Sequence, residues 1–143
     1  MTYEQCRKIN WLNRAFYADK LARAYLEKCE RERSLAQRLS RTFSKSGTGI
    51  SSGNSTEDAL IRLAESEQKT QQKLLELTQI REEITAVIQQ IDDNDLQAVL
   101  VWRYLNYFTF EQTAEKMHYS ERNVRYKHKQ ALDKLCLVLP DEM

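Results

Sequence analysis

With 143 residues, a formal charge of +1, one proline and three glycines, the chain has room for one ordinary domain or two small ones and carries few helix breakers. Arg, Lys, Glu, Gln, Leu and Ala dominate, and period-two runs of β-branched or aromatic residues are absent, so the expected fold class is all-α. No apolar run approaches the roughly 18 to 20 residues of a membrane span, and the start of the chain has no signal-peptide core, so a cytoplasmic protein is expected.

The small net charge hides a segregation. Residues 1–53 carry 11 Lys/Arg against 5 Asp/Glu, and residues 54–95 carry 4 against 10. In residues 96–143 the balance is 7 against 6, but Arg122, Arg125, Lys127, Lys129 and Lys134 crowd into one short stretch. A local basic face matters more than the total for binding nucleic acid.

From the N-terminus, Trp11, Leu12, Ala15, Ala18, Ala22, Tyr25 and Cys29 recur at three- and four-residue steps. The spacing predicts a long basic amphipathic helix within residues 1–43. Its basic side is either plain surface or a contact for DNA backbone or polymerase. Residues 44–55 contain every glycine and read as a flexible Gly/Ser linker. Thr56 is then expected to cap a second helix, residues 56–91. Positions 60, 63, 67, 70, 74, 77, 81, 84, 88 and 91 alternate threes and fours, and seven of the ten are apolar. That is a coiled-coil seam with a polar middle. It can close against the first helix as a hairpin, join copies into a homo-oligomer, or do both.

Three shorter helices follow in residues 92–143. The first, after Asp92-Asp93-Asn94-Asp95, carries Leu96, Val99, Leu100 and Trp102 and ends near Asn106-Tyr107-Phe108. Thr109 and Gln112 form a capping box at the start of the second, which ends near Met117. His118-Tyr119 make the turn, Ser120 caps the third, and that helix runs to about Leu137 before Pro140. Ala114 is the small residue where two steeply crossing helices approach, and Phe110, Met117, Tyr119 and Val124 fill the angle between them. The third helix presents Glu121, Arg122, Asn123, Arg125, Tyr126 and Lys129. Arg can bond guanine with two bonds, Asn can bond adenine, and Lys can meet phosphate. Tyr104, Tyr107, Phe108, Phe110, Trp11 and Trp102 are read as core rather than as a base-stacking platform.

The stretch Phe108–Tyr126, continued by Ala131-Leu132-Asp133-Lys134-Leu135, resembles region four of sigma-70-type factors. The resemblance implies a helix-turn-helix that reads double-stranded DNA through the major groove. Ser120 would cap the reading helix, and Glu121, Arg122, Arg125, Tyr126 and Lys129 would face DNA. Two positions depart from the family. His118 replaces the turn glycine, and Lys127 replaces an apolar residue. The whole layout, a long helical hairpin or coiled coil before a three-helix module, is similar to ArpU/RinA-like late-gene regulators of phages. This resemblance implies a transcription activator that engages RNA polymerase and is nucleoid-associated in a bacterial host cell. A small terminase subunit and a polymerase-binding protein that does not read DNA are the alternatives. No nucleophile–base pair or phosphate loop is present, so no enzyme and no cofactor are expected. Cys6, Cys29, Cys136, His118 and His128 do not have metal-ligand spacing.

Overall fold

The computed structural model describes residues 2–46 and 53–136. Among them every regular element is a helix: α1 (Tyr3–Leu12), α2 (Arg14–Ser46), α3 (Gly53–Ile88), α4 (Asn94–Leu100) continued by a π-helical turn (Val101–Leu105), α5 (Phe110–Met117) and α6 (Glu121–Lys134). None of these helices is long and apolar enough to cross a membrane. The chain divides into two compact units, Met1–Ala18 with Thr78–Met143, and Asp19–Leu77.

The expected single N-terminal helix is two. α1 opens on a capping box, with the Gln5 amide donating to Thr2 Oγ1 and the Thr2 amide to Gln5 Oε1, both at 3.2 Å. It stops at Asn13, a residue whose side chain competes with the helical backbone. Arg14 Nε donates to the carbonyl of Trp11 at 3.3 Å, which occupies an acceptor at the break. At the other end α2 reaches Ser46 and α3 begins at Gly53, so Thr56 lies inside α3 rather than at its cap. The middle of the expected Gly/Ser linker, residues 47–52, lies outside the described residues, as does Pro140.

Among the described residues of the unit Asp19–Leu77 the buried ones are small: Ala22, Cys29 and Ala36 on α2, and Ala59, Ser66 and Thr70 on α3. Thr70 Oγ1 donates to the Tyr25 carbonyl at 3.2 Å, Lys28 Nζ to Ser66 Oγ at 3.4 Å, and Arg33 pairs with Glu67 at 3.2 Å. This corrects the first half of the predicted seam, whereas Ile84, Ile88 and Ile91 at its end are buried. Its 63/70/77 row turns inward, whereas Leu60 is half exposed and Glu67 lies outside, with Ala59 and Ser66 in the buried places. The periodicity located the correct helix, but the pairing selects small side chains, and apolar spacing does not register those.

The other unit holds the larger core. Leu12 and Ala15 from the N-terminal helices, Ile84, Ile88 and Ile91, and Leu96, Leu100, Tyr104, Leu105, Ala131, Leu132 and Leu135 form one buried cluster. Residues 1–18 and 78–91 therefore fold with the C-terminal helices, whereas the sequence suggested a boundary at 91/92. α1 docks on the end of α6. Its buried Lys8 donates from Nζ to the Leu132 carbonyl at 2.8 Å, and Gln5 Nε2 donates to Asp133 Oδ1 at 2.8 Å. The Leu132 carbonyl also accepts the Leu135 amide at 3.2 Å, and the ammonium takes its second acceptor site and opposes the helix dipole. α6 ends at Lys134, short of the expected Leu137, with Leu135 extended and buried.

Candidate nucleic-acid interface

α5 and α6 are separate rods joined by a three-residue turn. Thr109 Oγ1 accepts from the Gln112 amide at 3.1 Å and Gln112 Oε1 accepts from the Thr109 amide at 2.9 Å, so the predicted capping box is formed. α5 is terminated by His118 in the left-handed conformation, φ 60° and ψ 38°. The Tyr119 amide reaches back to the Ala114 carbonyl at 3.0 Å. The exposed imidazole thus holds the backbone geometry that glycine holds more cheaply. Ser120 then caps α6, its Oγ accepting from the Asn123 amide at 3.1 Å.

Three buried residues fix how α4, α5 and α6 meet: Val99, Ala114 and Val124, with Phe110 and Met117 packed around them. Ala114 and Val124 are where the sequence put them. Tyr119 is not, because it stays 36% exposed and donates its hydroxyl to Asp95 Oδ2 at 2.8 Å. Lys127 adds an ion pair to the same carboxylate at 3.4 Å, with its ammonium 5.3 Å from the Tyr119 ring. The Tyr119 hydrogen bond, and then Lys127, hold the Asp95 carboxyl below its usual range. Tyr119 and Lys127 together fasten the turn and α6 to the start of α4. That is how the chain accommodates a lysine at an expected apolar position.

With Val124, His128, Ala131 and Leu132 turned inward, α6 exposes Glu121, Arg122, Arg125, Tyr126 and Lys129. Asn123 is half-buried and Ser120 sits at the exposed cap. Arg122, Arg125, Tyr126 and Lys129 line a concavity of about 390 Å³ with Phe110 and His128. Arg125 is held on two sides. Glu121 Oε1 accepts from its Nε at 3.2 Å and from its Nη2 at 2.7 Å, and its guanidinium lies 4.4 Å from the Phe110 ring centroid. The Arg103 guanidinium lies 4.3 Å from the same centroid and donates to the Phe108 carbonyl at 2.6 Å. The sequence marked Phe110 as angle filler. Its role as a shelf for two guanidiniums, and Arg103 altogether, carried no spacing signal.

Beneath that surface His128 is 3% exposed, and its Nε2 lies 2.6 Å from the Tyr104 hydroxyl. Burial, and then the Arg103 and Arg125 charges, hold the imidazole down at about 4. The Tyr104 hydroxyl is pushed up to about 12, mainly by burial. With His128 neutral, one hydrogen bond joins its Nε2 to the Tyr104 hydroxyl, in the direction the imidazole tautomer sets, and it ties α6 to the π-helical turn.

No residue pattern in the sequence signals that turn. The Asn106 amide bonds to Val101 at 3.0 Å and the Phe108 amide to Trp102 at 2.9 Å, and Tyr107 takes φ 62°. Trp102 stacks on Phe108 with centroids 5.0 Å apart. Arg81, a predicted seam residue, donates to the Leu105 carbonyl at 2.9 Å and to the Tyr107 hydroxyl at 2.7 Å. A wider turn at a helix end re-aims the residues that follow it. Here Arg81 holds the re-aimed Tyr107 in place.

Residues 89–135 match the family model described as Sigma-70, region 4, which covers about a third of the chain. They form a sigma-70 region 4-like helix-turn-helix domain, a DNA-binding regulatory kind. No curated protein and no solved structure matches the chain.

Proposed function

We propose that this protein is a sequence-specific transcriptional regulator that lays the N-terminal half of α6 in the major groove of double-stranded DNA. The observation that carries the reading is the exposed row Arg122, Arg125, Tyr126 and Lys129 on a Ser120-capped helix of a region 4-like domain. Arg125, already oriented by Glu121 and Phe110, offers the planar donor fork that pairs with guanine. Arg122 and Asn123 stand beside it as further base readers, Lys129 and the α6 N-terminus meet phosphate, and Glu121 can exchange Arg125 for a cytosine amino group. By its likeness to ArpU/RinA-like regulators, the protein acts as a late-gene activator in phages or prophages, contacting RNA polymerase.

Footprinting on fragments of its own genome, followed by transcription with purified bacterial polymerase, tests this. A protected site upstream of a late operon, with more transcript when the protein is added, is the expected result. Protection confined to a packaging site, or polymerase binding without protection of any DNA, would contradict it.

A further inference from the structure

In the unit Asp19–Leu77 the buried seam is made of alanine, serine, threonine and cysteine, while several of the larger aliphatic side chains remain outside. Leu26 is 40% exposed and Leu60 50%. Leu26 and Leu74 line a groove of about 360 Å³ on one flank of the helix pair, with Cys29, Arg33, Glu67 and Thr70, and Leu60, seven residues before Glu67, continues that flank along α3. Leu60, Glu67 and Leu74 are spaced by seven, the repeat of a row that packs against another helix. A small-residue seam leaves this pair short of apolar burial, which a second layer would supply.

The charges indicate what that layer is. Residues 19–46, on α2, carry eight Lys/Arg against four Asp/Glu, and residues 53–77, on α3, carry three against five. Arg33 and Glu67 face each other across the groove at 3.2 Å. A two-fold axis parallel to the helix pair would lay the basic α2 of one copy antiparallel on the acidic α3 of the other. It would also bring Arg33 over the partner's Glu67, closing a ring of four alternating charges. The opposite choice, an axis across the helices, would stack basic α2 on basic α2.

We propose that this flank, bounded by Leu26, Leu60 and Leu74, packs on the same flank of a second copy to form an antiparallel four-helix bundle. The interface is isologous: one patch meets itself, so assembly stops at the dimer. The proposal deepens the oligomer suggested by the periodicity of residues 56–91 and adds α2 to the interface. It stands apart from base reading, since every residue in it lies in the unit that excludes α6.

Sedimentation equilibrium of the full chain tests it. The wild type sediments as a dimer. The double substitution Leu26→Lys with Leu60→Lys gives a monomer with unchanged far-ultraviolet dichroism, while Ile61→Lys with Leu75→Lys, on the outer side of α3, leaves the dimer. Arg33→Glu and Glu67→Arg chains are each weakened as dimers by at least tenfold, and mixing the two restores association as a heterodimer. Only a contact between chains produces that rescue, because each chain alone carries like charges at both positions. A monomeric wild type, a dimer that survives Leu26→Lys with Leu60→Lys, or no rescue on mixing overturns the proposal. So does a monomer that instead binds purified polymerase through Leu60. Binding of the Leu26→Lys, Leu60→Lys chain to a half-site is read in parallel, so failure of the dimer is separated from failure of DNA reading.

Discussion

Single side chains on and under α6 decide whether this surface reads or only attracts. Arg125 sits in a bracket made by the Glu121 carboxylate and the Phe110 ring, so little conformational freedom remains to be lost on binding. Arg125→Ala is expected to weaken the cognate duplex by about 1–3 kcal/mol and relax the choice at one base. Lys129→Ala should weaken all duplexes alike and flatten the salt dependence. Competition titrations at two salt concentrations distinguish these outcomes. His128 gives a prediction of a different sort. Its imidazole stays neutral in the fold down to about 4, against an ordinary 6.5, so below 6.5 the unfolded chain binds the extra proton. Stability contributed by neutral His128 is complete above pH 6.5 and falls as pH drops toward 4, by on the order of 3 kcal/mol. Urea midpoints across that window should decline for the wild type and decline less for His128→Phe. His118→Gly, at the left-handed turn, should raise the urea midpoint by about 1 kcal/mol of stability without moving α6.

At the level of elements, the sharp features were legible and the long ones were not. Thr109, Gln112, Ser120 and His118 each act through atoms within four residues, so capping chemistry and turn backbone could be read directly from the order of residue types. Ala114 and Val124 followed from the same local geometry. The π-helical turn at Val101–Leu105 and the docking of α1 on α6 depend on partners about 25 to 125 positions away, such as Arg81 on Leu105 and Lys8 on Leu132. No periodicity reports such a partner. The Lys8 bond gives α1 a task that its amphipathic pattern concealed: it closes the C-terminal end of α6. Lys8→Met should therefore lower stability by about 1–3 kcal/mol, since the charge-assisted bond to the Leu132 carbonyl is lost and only the Leu135 amide remains on it. Thermal unfolding of the full chain measures it, and Lys8→Arg should recover part of the loss.

On the scale of the whole molecule, the charge segregation along the chain bears on both proposals. In the proposed function the basic cluster near residues 122–134 would supply the reading face of α6, and in the proposed dimer the opposed balances of residues 19–46 and 53–77 would suit one copy to another. A dimer would carry two reading helices and favour sites with two half-sites. Dissociating it should reduce affinity for a full site far more than for a half-site.

Sequence selection by α6 is the property on which the proposed function turns. Binding should be measured for wild type and for Arg122→Ala with Arg125→Ala on a duplex selected from random DNA and on a shuffled duplex of the same composition. The wild type should prefer the selected duplex by a wide margin, and the double substitution should bind both duplexes weakly and alike. If the substituted chain kept the wild-type preference, another surface would be reading DNA and α6 would not be the reader.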